Sequence, residues 1–204
     1  SADLVLTSPY VQLTLGSSQY TITQPALTTI PVGGSTTFSV TFNSATAGVF
    51  DDGIEVLSDD ADEANYSFDI SATAQTPTPE INIRGNSTNI VDGATTPLLT
   101  DHTSFGTLAT GNTLTRTYTI QNLGTGDLTL TAPYVQLATA STQYTITQPA
   151  LTTIPVGGST TFSVAFSSAT AGTFNNTIEV LSDDADEATY SFAITADAVV
   201  LNFQ

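Results

Sequence analysis

Apolar and polar side chains alternate along most of this chain. In TLTRTYTIQ, Leu114, Tyr118 and Ile120 fall on one side with Arg116 among them, and threonines fall on the other. Leu128 and Leu130 alternate with Thr. Phe162, Val164 and Phe166 share a face, as do Ile178 and Val180, and Tyr190, Phe192 and Ile194. A period of two marks strands with one buried face, and helical periodicity is nearly absent. Turn formers bound each run: Asn122–Gly126, Pro155–Gly158, Ala171–Gly172 and Ser182–Glu187. Short strands at this spacing predict an all-β fold, an antiparallel β-sandwich. Strands are expected near 80–84, 104–108, 113–121, 127–132, 143–147, 160–166, 174–181 and 189–196. The stretch 85–103 reads as a long loop with a short edge strand at 89–91.

The pattern occurs twice. Gln19–Val40 recurs letter for letter at Gln143–Val164, an offset of 124 residues. Asp3–Ala74 aligns with Asp127–Ala198 without a gap, and roughly three-quarters of the positions are identical. A repeat of this length is the size of a domain. The expected organisation is an incomplete domain at 1–75, the second part of a repeat, then a complete domain at 76–198 and a strand-like tail at 199–204. In the first copy, strands are expected near 3–7, 19–23, 36–42, 49–57 and 65–72. Gln75–Pro79 reads as a linker that its two prolines stiffen.

The first copy lacks any counterpart of Glu80–Gly126, so one sandwich face and one sheet edge should be open. An upstream piece or another chain would have to cover them. Val199, Val200, Leu201 and Phe203 of the tail are candidates for self-assembly, pairing with a sheet edge in a neighbouring copy. The alternative is that 204 is simply where the fragment stops.

Composition narrows the partners. Nineteen acids stand against Arg84 and Arg116, with no Lys, for a net charge of −17. That charge repels nucleic acid and anionic membranes and invites divalent cations. Without Cys there are neither disulfides nor thiolate metal sites. No apolar run is long enough to insert in a membrane as a helix. Only 10% of residues are charged, so Ser, Thr, Asn and Gln must carry the surface. Thr suits a half-exposed strand.

Several motifs together resemble a bacterial family, the choice-of-anchor D repeat, one of the Hydin-like (ASH-type) immunoglobulin-like domains. They are the P-E-I start at Pro79–Ile81, the I-x-D-G loop at Ile90–Gly93 and the pair Phe105-Gly106. Thr115–Ile120 and Asn122–Leu130 follow, then the G-G-S-T-T-F strand at Gly157–Phe162 and the acidic hairpin Ser182–Glu187. The resemblance covers Pro79–Ala198 fully and Asp3–Ala74 in its second part. It implies an immunoglobulin-like sandwich and an extracellular or surface-anchored spacer, and it implies no ligand. The glycines of Asn122–Gly126 are expected to supply positive φ in a tight hairpin, with Pro155–Gly158 alike. Phe105 and Phe162 are expected in the core.

The acidic hairpin is the first candidate site. Asp59, Asp60, Asp62 and Glu63 recur as Asp183, Asp184, Asp186 and Glu187. Carboxylates this dense repel one another unless solvated or bound to a cation, and calcium takes six to eight oxygens. The hairpin does not match the EF-hand pattern, and a solvated turn is the competing reading. The loop with Asp92, Asp101 and His102 is the second candidate. One imidazole with no nucleophile beside it makes a poor active site. Asp51 and Asp52 become Asn175 and Asn176 in the second copy, which reads as a solvent-facing turn. Arg116 is expected to pair with Glu80 or Asp127, since an unpaired buried charge is costly.

These features predict no enzyme. The leading expectation is a structural module of an extracellular stalk, fibre or filament that contacts further copies of itself. The second is an adhesin-type module for a glycan or protein, with or without calcium. Neither reading involves nucleic acid or membrane insertion.

Overall fold

The structure, a computed structural model, describes residues 2–201. Phe203 lies outside them. The chain divides into two compact units, 1–76 and 77–204. All regular structure among the described residues is β.

The first unit contains β1 (Leu4–Leu13), β2 (Tyr20–Thr23), β3 (Thr29–Ile30), β4 (Ser39–Phe42), β5 (Gly48–Ser58) and β6 (Asn65–Ala74). One sheet has the order β3-β1-β5-β6; the other consists of β2 and β4 alone. β1 runs to Leu13, well past the predicted strand. Its register shifts between Leu6 and Val11, and that bulge houses Pro9, whose missing N–H costs no ladder bond there. Buried apolar side chains in this unit are few: Leu6, Val11, Tyr20 and Ile54.

The second unit contains β7 (Ile81–Gly85), β8 (Thr88–Ile90), β9 (Ser104–Ala109), β10 (Thr113–Asn122), β11 (Leu128–Leu137), β12 (Tyr144–Thr147), β13 (Thr153–Ile154), β14 (Ser159–Ser167), β15 (Gly172–Ser182) and β16 (Thr189–Val199). Two five-stranded sheets, β12-β14-β10-β7-β8 and β13-β11-β15-β16-β9, enclose one core. Tyr118 stacks on Phe162 in its own sheet at 5.1 Å and meets Phe192 of the other at 5.4 Å. Phe105 and Phe162 are both 2% exposed, as expected of core residues.

Matching segments pair alike in both units: Leu4 with Ile30 and Leu128 with Ile154, Ile54 with Phe68 and Ile178 with Phe192. One segment does not. Ser35–Val40 and Ser159–Val164 have the same letters, yet β14 spans all of its copy and β4 begins only at Ser39. β14 pairs along β10 from Gln121↔Ser159 to Thr113↔Ser167. The first unit has no counterpart of β10, so the same sequence finds no ladder to join.

Three expectations need correction. The sandwich is not purely antiparallel, because β9 runs parallel to β16. Asn122–Gly126 is not a hairpin: β10 and β11 lie in different sheets, so the segment is a corner between layers. Its glycines are needed for space and not for positive φ. A Cβ on Gly124 would lie 2.3 Å from the Thr78 carbonyl oxygen. Gly157, with φ +71°, does fit the expected turn role.

Val199 closes β16 opposite Ala109, and its carbonyl accepts the Thr110 N–H at 2.9 Å. It belongs to the sheet of its own unit and not to a free tail. Val200 and Leu201 follow outside any strand and are exposed.

Candidate functional site

The acidic hairpin of the second unit joins β15 to β16. Its turn is held locally: Ser182 N–H donates to the Ala188 carbonyl at 3.2 Å, and Asp184 N–H donates to Ser182 Oγ at 3.3 Å. Two of its carboxylates are tied to other strands. Asp183 Oδ1 accepts the Thr129 N–H at 2.8 Å. Asp184 is 1% exposed, and its Oδ2 accepts the Ile81 N–H at 2.7 Å. This bond fixes the start of β7 on the hairpin. Part of the acidic motif is therefore structural clamp.

Folding also brings in a residue that the motif does not contain. Glu80, just ahead of β7, joins Asp184, Asp186 and Glu187, and one carboxylate oxygen from each lies within 4.8 Å of the others. Glu187 Oε2 is buried without a hydrogen-bond partner. Burial first, then the charges of Asp186, Asp184, Glu80 and Asp92, push the Glu187 carboxyl above its ordinary range. A hard cation would relieve that repulsion, and carboxylate oxygens are the donors that calcium prefers. Sequence reasoning assigned Glu80 to Arg116 because the Glu80–Asp184 neighbourhood spans over a hundred residues and leaves no local spacing to read.

In the first unit the same hairpin lacks a Glu80 counterpart. Asp59 Oδ1 accepts the Val5 N–H at 2.8 Å, as Asp183 does for Thr129. Asp60 Oδ1 accepts the Asp62 N–H at 3.3 Å, and hydrogen bonding with Asp62 lowers the Asp60 carboxyl. Asp62 and Glu63 are exposed. Of the eight acids singled out from sequence, the structure gathers Asp184, Asp186 and Glu187 into one cluster.

The second candidate loop is structural. Asp92 Oδ1 accepts the Ser191 N–H at 2.7 Å, and Asp101 Oδ1 accepts the Thr103 hydroxyl at 2.6 Å and its N–H at 3.0 Å. His102 has φ +65°, and its carbonyl accepts the Tyr118 hydroxyl at 2.8 Å. Burial, then the charge of Arg116, lowers the His102 pKa. Arg116 is thus near His102 and not near Glu80. Asn122, which bonds the Glu80 segment, is six residues further along β10, roughly 20 Å away. Arg116 Nε is buried without a partner, so the expected ion pair with Glu80 or Asp127 is replaced by a neighbourhood of His102 and Tyr118.

Asp52 also departs from expectation. It lies inside β5 and is 4% exposed, not in a solvent-facing turn. Its carboxylate accepts the N–H groups of Leu15 at 2.8 Å, Ser17 at 2.9 Å and Gly53 at 2.8 Å. Burial pushes its pKa up, but these donors and the Thr14 hydroxyl outweigh burial and hold it below the ordinary 3.8. A carboxyl lowered in the folded state stabilises it above its unfolded pKa, and that stability goes as pH falls through the folded value. Asn176 takes this place in the second unit, bonding Thr139, and does not titrate. Between pH 7 and about 3, melting of the first unit is expected to fall more in the parent than in Asp52→Asn. Equal losses in thermal scans would remove this role from Asp52.

Beside the acidic cluster lies a shallow groove of about 510 Å³, lined among others by Glu80, Asn82, Asn89, Asp92, Glu187 and Tyr190. Carboxylates, amides and an aromatic edge around one groove can present many hydrogen-bond partners to a polar ligand.

Two sheets around one aromatic core, with an acidic turn at one end, define the second unit as an immunoglobulin-like β-sandwich. Residues 98–196 match the family described as HYDIN/CFA65/VesB-like, Ig-like domain, and this part of the chain is similar to that family. No curated protein matches the chain. Among solved structures, it is similar to a protein of unknown function from Porphyromonas gingivalis W83, with 16% identity, TM-score 0.44 and coverage of 97% of this chain and 86% of that one. It is also similar to the ASH/PapD-like domain 7 of human CEP192, with 12% identity, TM-score 0.43 and coverage of 65% and 94%. Domains 4 and 5 of the S-layer protein SbsC give 15% identity, TM-score 0.39 and coverage of 90% and 72%.

Proposed function

We propose that this chain is a structural repeat module of an extracellular stalk, fibre or filament, built by head-to-tail contact between copies. The observation that carries the reading is repetition. One sequence pattern produces matching strand pairs in both units, among them Leu4–Ile30 and Leu128–Ile154. What the two copies share is the scaffold. A surface rich in Thr, Ser and Asn, and a chain without Cys, Met or Trp, suit prolonged exposure outside a cell. Electron microscopy of the concentrated protein is expected to show ordered filaments with an axial repeat of one domain; dispersed monomers at all concentrations would count against the reading.

A second reading, an adhesin-type module for glycan or protein with calcium, is favoured by the Glu80–Asp184–Asp186–Glu187 cluster and its adjoining groove. Calcium should then raise the melting temperature of the second unit, and Glu187→Gln should abolish that shift. The same substitution separates calcium from simple repulsion. A carboxyl raised in the folded state favours folding below its unfolded pKa and ceases to as pH rises through the folded value. At pH 7, Glu187→Gln should therefore stabilise the metal-free protein. No calcium-dependent shift in the parent, together with a higher melting temperature in Glu187→Gln, would leave the cluster as repulsion alone.

A further inference from the structure

The first unit exposes a face that the second unit shows covered. Leu4, Leu6, Phe38, Val56, Tyr66 and Phe68 line an open apolar groove of about 310 Å³. Their counterparts Leu128, Leu130, Phe162, Val180, Tyr190 and Phe192 are the same six residue types, and all of them are buried. Tyr66 is 57% exposed against 5% for Tyr190, and Phe68 is 42% exposed against 1% for Phe192. β6 is also the free edge of its sheet, while β16 is flanked by β9.

What lies on this face in the second unit is one continuous segment, Glu80–Asn122. Its apolar row, Ile81, Ile83, Ile90, Phe105, Tyr118 and Ile120, completes the core. Its backbone occupies the edge of β16: Gly93 N–H donates to the Ser191 carbonyl at 2.8 Å, Ala193 N–H to the Ala94 carbonyl at 2.8 Å, and Thr195 N–H to the Thr103 carbonyl at 3.1 Å. Two side chains of the face bind it directly. Asp184 accepts the Ile81 N–H, and the Tyr190 hydroxyl donates to the Ile90 carbonyl. The first unit retains both side chains, as Asp60 and Tyr66.

We propose that the open face of the first unit is a docking site for a Glu80–Asn122-type segment supplied by a second copy of the repeat. The arriving segment adds the apolar row and edge pairing of four strands, the counterparts of β7 to β10, a form of strand addition. Asp60 receives the N–H at the position of Ile81, Tyr66 reaches the carbonyl at the position of Ile90, and the edge of β6 pairs through Ser67, Asp69 and Ser71. The inference rests on the repeat reading of the proposed function but not on its filament or extracellular role.

The test extends the full chain by a second copy of residues 77–126 joined in front of Asp3, as Gly126 is joined to Asp127. Hydrogen exchange at Ser67, Asp69 and Ser71 is expected to slow at least about tenfold, and binding of an apolar dye to fall towards background. Asp60→Ala in the extended chain should return part of that protection. Peptide 77–126 added in trans to the unaltered chain gives the second measurement, with saturable protection of the same amides expected. Unchanged exchange in both arms overturns the proposal. Self-association of the unaltered chain in which β6 pairs with the β6 of another copy would overturn it too, by assigning the face to another first unit. Protection of β6 without filaments in micrographs would sink the filament role and leave the docking site standing.

Discussion

Phe192→Ala is expected to destabilise the second unit by about 3–5 kcal/mol, whereas Phe68→Ala should change the first unit by well under half of that. The two phenylalanines occupy matching places in the repeat, opposite Ile178 and Ile54. Intrinsic strand propensity and local sequence are therefore nearly held constant, and the difference isolates burial. Phe192 is 1% exposed and lies 5.4 Å from the ring of Tyr118, so truncation opens a cavity beside β10. Phe68 is 42% exposed, and its ring neighbour is Tyr66 at 6.4 Å, itself largely exposed. Removing Phe68 gives up little buried area, and solvent fills the space. Separate thermal transitions for the two units, followed by calorimetry on both variants, read the contrast directly. Comparable losses at both positions would mean that the first face is covered in solution. In the chain extended by a second copy of 77–126, the Phe68→Ala loss should rise towards that of Phe192→Ala.

That contrast also shows how far the fold was legible from sequence. Period-two alternation found the long strands β10, β14, β15 and β16, because their inward rows are continuous runs of Leu, Val, Ile, Phe and Tyr. It missed β3 and β13, two-residue strands whose partners lie more than twenty residues away. It stopped β11 just before Pro133, since nothing local says that a bulge there will let the ladder resume at Val135. It read β4 as long, because the letters of Ser35–Val40 match a true strand and the absence of its partner is invisible in them. The site divided in the same way. The acidic hairpin was legible as a local motif. Glu80 was not, because only the pairing of β7 with β10 and the Asp184–Ile81 bond bring it there. Asn122 passed as a turn residue for the same reason.

Asn122→Ala is expected to cost about 3–5 kcal/mol, which by the usual scaling lowers the melting temperature of the second unit by roughly 10–20 °C. Asn122 is 0% exposed and uses both ends of its amide. Nδ2 donates to the Gly126 carbonyl at 2.7 Å and to the Ile154 carbonyl at 3.0 Å. Oδ1 accepts the Gly124 N–H at 3.0 Å and the Glu80 N–H at 3.4 Å. The amide joins the corner between the two sheets to β13 and to the approach of β7. Alanine leaves those groups without partners where water has little access, and each such loss costs about 1–3 kcal/mol. Leu123→Ala, next door and 61% exposed, should stay within about 0.5 kcal/mol. Asn122→Asp is the sharper probe. It preserves shape and both acceptor bonds, but it sets a carboxylate against the Gly126 and Ile154 carbonyls. It should therefore destabilise at pH 7 and recover as acid protonates it. Because Asn122 positions the Glu80 backbone, both variants should also loosen the carboxylate cluster, weakening any calcium-induced rise in melting temperature. A calcium response intact in Asn122→Ala would separate the cluster from this corner and leave Asp184 and Ile81 as the contact that places Glu80.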